Sequence, residues 1–325
     1  MLHFYDQSTD SIETQCLRLA PALAITRANI PCLVWAEDAL SFVYFVPTSL
    51  FALQLLVPDE DLEKAALTIT SSLPYERIYG AAPGWLEMRM VDPAQPSCFP
   101  NSIYLRTTKL PHLRHEDDPE EIYLHPQSFF SVDIRQHDRS VSLSTLPKEY
   151  ADIRFPTRAA FLDALFDTLL DPPSGLRVLR LTLKLDVYIS YIAIYTLRKY
   201  PVLSDGELEP EHAAVRDSLR EEHRRIFEAR MNPGGRLGWW AAVQLRRDLL
   251  KNTSRFAAAQ RPLPLNTMRH MSIMEKTASS KLEASKSFHT SAVQSHRRVP
   301  FVHLKRPLSR GVERGVQHIA RYFIR

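Results

Sequence analysis

Glycine is scarce in this chain, with 9 residues among 325, whereas proline occurs 23 times. Glycine permits the left-handed turns and the close backbone approach on which phosphate-cradling loops depend. The shortage of glycine therefore disfavours a glycine-rich phosphate loop. Charged residues make up 24% of the chain and hydrophobic residues 45%, which is typical of a soluble globular protein with one large or two modest domains.

Cysteine is also rare and is limited to Cys16, Cys32 and Cys98. These residues form no CxxC pair, so they predict neither a zinc site nor a disulfide framework, and they fit a reducing compartment. The first fifteen residues include acidic side chains and lack an apolar stretch, unlike a secretory or mitochondrial leader. We therefore expect a cytoplasmic protein. The most apolar later run, residues 187–197, is too short to cross a bilayer, so no transmembrane segment is predicted.

Charge divides the chain into an acidic body and a basic tail. Residues 261–325 contain 13 Lys and Arg against 3 Asp and Glu, whereas residues 1–260 contain 28 against 34. Residues 265–300 are rich in Ser, Thr and Lys and have too few large apolar side chains to offset the entropy lost on folding. We predict a largely disordered tail that makes weak contact with nucleic acid or an anionic surface through residues 265–325.

The tail also has a second interpretation. The segment SFHTSA at residues 287–292, with basic residues on both sides, resembles the cleavage region of a fungal mitochondrial transit peptide. Such a signal works at an N-terminus, so a mitochondrial location is expected only if translation starts near Met268 or Met271. An alternative start or a fused gene model would explain the segment, and the tail would then say nothing about the function of the body.

Hydrophobic periodicity predicts the order of elements in the body. Its first part contains helices at 11–29, 36–43 and 62–71 and strands at 32–35, 51–57, 85–91, 102–106 and 121–124. Its second part contains helices at 155–170, 175–200, 209–231 and 237–259. This order predicts an α/β (α+β) fold, with a mixed sheet and flanking helices in residues 1–150, a helical region packed on it in 151–260, and the tail in 261–325.

Residues 30–57 are the most informative stretch, and they read as strand, helix and strand. The sequences IPCLVWAEDAL, VPT and LQLLVP in and just after this stretch resemble the core of small nucleotidyltransferase-fold proteins, the antitoxin-like and uncharacterised fungal relatives in particular. That family has a strand, a glycine-containing turn into a helix, and a strand of the form D-h-D-h-h-V, where h is apolar. The resemblance implies a nucleotidyltransferase-like mixed sheet. Beyond this stretch it rests on the order of elements alone.

The family's functional positions are altered in this chain. Its two strand carboxylates fall on Ala52 and Gln54, and its turn glycines fall on Ala36 and Glu37. Carboxylates at i and i+2 of a strand share a face and can hold a divalent metal that bridges a nucleotide's phosphates, which Ala52 and Gln54 cannot do. Glu37 and Asp38 at the helix start would repel phosphate. We therefore expect a catalytically inactive binding or interaction module with a protein partner and without catalytic residues, metal or cofactor.

Two alternatives remain open. One is an active magnesium-dependent nucleotidyltransferase that binds Mg²⁺ and a nucleoside triphosphate through displaced carboxylates, namely Glu37, Asp38 or Asp59. The other is a nucleic-acid-associated protein that binds through its basic tail. Asp59 and Asp61 have the i, i+2 spacing, but they follow Pro58 at a helix start, which favours a capping role over metal binding.

Other polar clusters are interpreted as structural. The His/acid cluster at residues 112–118 predicts a solvated loop, because it lacks a regular element to hold metal ligands rigidly. His125, Asp133, His137 and Asp138 are possible acid/base groups, but no G-x-S-x-G motif accompanies them. The paired indoles at residues 239–240 are expected to anchor their helix to the sheet domain.

Overall fold

The computed structural model describes residues 4–79, 99, 101–171, 179–197 and 201–232. Three predictions lie outside these residues: the strand at 85–91, the helix at 237–259 with its paired indoles, and the basic tail at 261–325. No helix in the described part of the chain is long and apolar enough to cross a membrane.

The first five elements confirm the predicted order. They are α1 Ile12–Arg27, β1 Leu33–Trp35, α2 Ala36–Tyr44, β2 Leu53–Val57 and α3 Leu62–Ser72. Local signals explain several of their limits. The Ser11 hydroxyl accepts the amide of Thr14 at 3.0 Å and caps α1. Pro58 directly follows β2 and ends it.

In the described residues, five further strands are followed by four α-helices. They are β3 Tyr75–Ile78, β4 Ile103–Thr107, β5 Glu121–Pro126, β6 Ser140–Val141, β7 Phe155–Pro156, α4 Arg158–Leu170, α5 Leu179–Tyr191, α6 Pro210–Ser218 and α7 Glu221–Met231. A π-helical turn, Ile192–Thr196, continues α5. The sheet has the order β1-β2-β5-β4-β3, in which β2 and β5 are parallel and the other neighbours are antiparallel. The fold is therefore mixed α/β, as predicted.

Both faces of the sheet are covered, which explains why β2 is buried at all five positions. One face presents side chains such as Val34, Leu53 and Leu55 to a core shared with α1 and α3. The opposite face presents side chains such as Trp35 and Leu56 to a core shared with α4, α5 and α7. This alternation follows from the two-residue period of a strand.

Two helix predictions need correction. The single helix predicted at 209–231 is two helices, because Leu219 and Arg220 are extended, with ψ of 159° and 145°. The Arg220 amide leaves the helical hydrogen-bond ladder and lies 3.3 Å from Oδ1 of Asp163 on α4. The helix predicted at 155–170 begins three residues later, because Phe155 and Pro156 form β7 and Thr157 caps α4 by accepting the amide of Ala160.

Candidate functional site

The strand-to-helix turn from β1 into α2 places Ala36 and Glu37 next to Gln54 of β2. Trp35 of β1 lies opposite Gln54 of β2 in the antiparallel register. Ala36 follows with a φ of 59°, in the left-handed region that favours glycine. The backbone here thus has the glycine-like geometry that a tight strand-to-helix turn needs, although the residue is alanine and is fully buried.

Glu37 is buried and is surrounded by donors from the same protein. Its Oε1 lies 2.8 Å from Nζ of Lys184 and accepts the hydroxyl of Tyr188 at 2.6 Å, both from α5. Its Oε2 accepts Nε2 of Gln54 at 3.2 Å. The negative charge of Glu37 is therefore balanced by Lys184, which is itself buried.

The orientation of Gln54 determines the protonation of its next neighbour. Since its amide nitrogen donates to Glu37, its Oε1 accepts from Nε2 of His125 at 3.2 Å. Nδ1 of His125 is then the acceptor for the hydroxyl of Ser102 at 2.7 Å. Burial, and to a smaller degree the Lys184 ammonium, lowers the pKa of His125 to about 3. The imidazole is thus neutral near pH 7, in agreement with this assignment.

We call these six side chains the Glu37 network: Ser102, His125, Gln54, Glu37, Lys184 and Tyr188. Under this assignment the Ser102 hydroxyl donates to His125, His125 donates to Gln54, and Gln54 donates to Glu37. His125 is enclosed by aromatic rings, among them Phe99 and Phe130 with ring centroids at 4.7 and 5.4 Å. All of its members except the partly buried Ser102 are buried, and together they link the sheet to α5 by hydrogen bonds and an ion pair.

Asp38 binds a cation on the opposite face of the sheet. Nε and Nη2 of Arg18 on α1 donate to its two carboxylate oxygens, both at 2.9 Å. Burial raises the pKa of Asp38, and the adjacent Arg18 guanidinium opposes that rise. Arg18 Nη2 also donates to the carbonyl of Phe51 at 2.8 Å. Glu37 and Asp38 are therefore neighbours in sequence, but each is bound to a cation from a different layer.

Ala52 and Asp59 lie at the two ends of β2. Ala52 is partly buried and packs on the core that contains Trp35. Asp59 Oδ1 accepts the amide of Ser128 at 3.0 Å, and Asp61 at the start of α3 makes no capping hydrogen bond. The predicted capping role is wrong, because residues 59–61 form a 3-10 turn without a side-chain cap and Asp59 instead binds the 3-10 turn Gln127–Phe130.

The remaining His and acid candidates are exposed or partly exposed, except for His125 in the core. In the loop at 112–118, Asp118 pairs with Lys109 at 2.7 Å and Asp117 accepts the hydroxyl of Thr14 at 3.0 Å. Asp133, His137 and Asp138 are exposed, whereas His125 is fully buried in the Glu37 network. Among the residues that the structure describes, no group of three His, Cys, Asp or Glu side chains could hold a metal ion.

No protein-family model matches this chain, and no curated protein or solved structure matches it. The site must therefore be judged by its own geometry. Sequence reasoning missed Lys184, Tyr188 and Ser102, which complete the Glu37 network. The only local signal was the presence of a lysine within the amphipathic pattern of α5, where the burial of its ammonium was not apparent.

Proposed function

We propose that this chain is a catalytically inactive protein with a nucleotidyltransferase-like fold that acts as a binding or interaction module. The observation that carries the proposal is the position of Lys184, whose ammonium lies 2.8 Å from the carboxylate of Glu37 beside Gln54. The resemblance implies that active relatives hold a divalent cation at this strand. Here the acid beside the strand is already paired with a cation from the chain itself.

A metal ion could not bind Glu37 without a large rearrangement. It would have to displace both the ammonium of Lys184 and the hydroxyl of Tyr188, and it would leave a buried ammonium without its partner. Mg²⁺ also requires near-octahedral oxygen ligands, usually with one or two carboxylates. Ala52 has no ligand atom to offer, and both polar groups of the Gln54 amide are engaged.

Two features support the fold that the resemblance implies. Ala36 has a positive φ at the position where the family has a turn glycine. Ala52 and Gln54, at the family's carboxylate positions, lie just before and within β2, a strand with neighbours on both sides. The altered residues therefore occupy an intact strand-to-helix unit rather than a surface loop, which fits loss of chemistry with retention of fold.

A protein partner is supported by one end of the sheet. Among the described residues β3 is the last strand in the sheet order, and edge strands carry backbone groups that can pair with another chain. Large apolar side chains are exposed on the adjoining segments, with 67% of Leu67 on α3 and 80% of Tyr79 after β3 accessible to solvent. We keep a cytoplasmic location as part of this proposal.

The active alternative requires acids that the structure shows in other roles. Glu37 binds Lys184, Asp38 binds Arg18, and Asp59 accepts a backbone amide. This weighs against Mg²⁺ and a nucleoside triphosphate as ligands, and the experiment below decides between the two. The nucleic-acid alternative concerns the tail at 265–325. A steep salt dependence of RNA binding that disappears when this tail is deleted would favour it.

The test is a thermal-shift titration of the full chain with ATP, CTP, GTP and UTP, each with and without magnesium. A ligand that binds only the folded state raises the melting temperature. We expect no magnesium-dependent shift at saturating nucleotide. A magnesium-dependent rise that is lost in Asp59→Ala but kept in Asp61→Ala, its neighbour in the same turn, would overturn the proposal and reopen the active alternative.

A further inference from the structure

A cavity of about 190 Å³ lies between the loop after β5 and the start of α4. Its wall includes Arg139 and Arg220, with the hydroxyl-bearing Ser131 and the amide-bearing Gln136 nearby. The cavity is smaller than the roughly 300–1,000 Å³ of sites for drug-sized ligands. It shares no lining residue with the Glu37 network, so it is a separate feature of the protein.

Two carboxylates hold the two arginines in place: the buried Asp163, which also lines the cavity, and the partly buried Asp167, which does not. Arg139 Nη2 donates to Oδ2 of Asp163 at 2.7 Å, and Arg220 Nη2 forms an ion pair with Asp167. The side chains of Asp163 and Asp167 are 3% and 14% exposed, whereas those of Arg139 and Arg220 are 30% and 38% exposed. Each guanidinium is thus fixed on its buried side and reaches solvent on the other, which is a preorganised arrangement for an anion.

Unused donors remain on this surface. A guanidinium has five N–H groups, and Arg139 uses one nitrogen in its contact with Asp163. Nε of Arg220 and the Ser131 hydroxyl have no hydrogen-bond partner among the described residues, but both atoms are buried and are not open to the cavity. The nitrogens that Arg139 leaves unused favour a ligand that brings oxygen acceptors.

His223 supplies a third positive charge behind the cavity. It is fully buried, with Nδ1 at 2.7 Å from Asp163 and Nε2 at 3.1 Å from Asp167. The second contact is an ion pair without good hydrogen-bond alignment. Burial by itself lowers the pKa of His223, but the two carboxylates raise it above its ordinary value. The imidazolium therefore offsets part of the carboxylate charge and leaves the arginines available to a ligand.

Two further acids near the arginines reduce the positive potential in the cavity. Asp133 is exposed on the cavity wall, and its Oδ1 accepts the amide of Arg135 at 3.0 Å. Glu222 lies 3.7 Å from Nε of Arg220 and does not line the cavity. Their exposure to solvent weakens their effect. With Asp163 and Asp167, these acids offset the charges of Arg139, Arg220 and His223, so the cavity has no excess of positive charge. It therefore favours a small anion held by oriented donors over a large polyanion.

We propose that this cavity binds a small oxyanion, a phosphate or carboxylate group, through Arg139 and Arg220. Isothermal titration calorimetry of the full chain with inorganic phosphate, and separately with acetate, tests this at constant ionic strength. Saturable binding of phosphate alone identifies a phosphate-class ligand, and binding of acetate identifies a carboxylate-class one. The absence of saturable heat with both anions overturns the proposal.

Variants show whether the cavity is the site of binding. Arg139→Gln keeps a donor for Asp163 but removes the charge, and it should weaken binding by about ten- to hundredfold, as expected for a charge-assisted hydrogen bond. Its matched control is Arg135→Gln, in the same loop but outside the cavity wall, where Arg135 pairs with the exposed Glu60. Equal binding by wild type and Arg139→Gln would contradict the assignment.

Isosteric charge changes at the rim give a test that does not depend on the buried ion pairs. Gln136→Glu adds a negative charge at an exposed wall residue and should weaken binding, whereas Asp133→Asn removes one while keeping its acceptor for the Arg135 amide and should strengthen it. The exposed changes Gln7→Glu and Asp152→Asn alter net charge equally and should have no effect. If Asp133→Asn does not strengthen anion binding and Gln136→Glu does not weaken it, the anion binds somewhere other than this cavity.

This inference does not depend on the proposed function. A nucleotide effect that needs no magnesium and disappears in Arg139→Gln would report the phosphate group of the nucleotide in this cavity. A magnesium-dependent effect that survives Arg139→Gln would instead count against catalytic inactivity and leave the cavity to be judged by the phosphate and acetate titrations.

Discussion

Replacing Lys184 with methionine removes a buried ammonium and leaves the rest of the protein's composition unchanged. Methionine has a similar length, so the stem of the side chain remains packed. The side chains of Lys184 and Glu37 are only 8% and 4% exposed, and their charged atoms lie 2.8 Å apart. After the change, Glu37 keeps the hydroxyl of Tyr188 and the amide of Gln54 as donors but has lost its balancing charge.

The expected loss follows from this burial. Removing one member of a buried ion pair lowers the free energy of unfolding by about 3–5 kcal/mol, because the other charge is left uncompensated. Glu37→Gln should be destabilising for the same reason, since it leaves the buried ammonium of Lys184 without its carboxylate partner. The double variant Lys184→Met/Glu37→Gln removes both charges and should be more stable than either single variant, with a coupling free energy of about 2–3 kcal/mol.

Urea unfolding followed by circular dichroism measures all four proteins, and an unchanged m-value shows that the unfolding reaction is the same. Arg135→Met is the control, because it breaks an ion pair with Glu60 in which both side chains are at least half exposed, and it should have little effect. The reasoning is refuted if Lys184→Met is no more destabilising than Arg135→Met, or if the two single losses simply add in the double variant.

Two further predictions concern the pH dependence of stability and the backbone at the turn. The carboxylates around His223 raise its folded pKa, so its stabilising contribution is complete below the unfolded value of about 6.5 and is lost as the pH rises through the folded pKa. Urea unfolding at about pH 6 and 9 should show a fall in stability that His223→Gln reduces, and an unchanged fall would contradict this. Ala36→Gly should be less destabilising than Ala39→Gly by roughly 1–2 kcal/mol, because both lose a buried methyl group but only Ala36 is relieved of a left-handed conformation. Equal losses in thermal or urea unfolding would show that Ala36 is unstrained.

Local sequence signals were sufficient for the first half of the fold. The helical spacing of apolar residues from Ser11 to Asn29, the Ile30–Pro31 pair and Pro58 after an apolar run predicted the elements from α1 to α3 within a few residues. These signals succeed because prolines and hydrophobic periodicity act between residues that are close in sequence. They failed at 209–231, where the break between α6 and α7 depends on contact with Asp163 of α4.

The sequence alone determined that Ala52 and Gln54 carry no charge and that β2 is apolar enough to be buried on both faces. It could not determine the partners of Glu37. Tyr188 lies 151 residues away along the chain, and it reaches Glu37 only because α5 packs on the face of the sheet that contains Trp35. A buried polar group must find its partners within hydrogen-bonding distance, and tertiary packing decides which side chains come that close. The same packing placed Lys184 beside Glu37 and Arg18 beside Asp38. Two acids that are adjacent in sequence therefore bind cations from opposite layers of the protein.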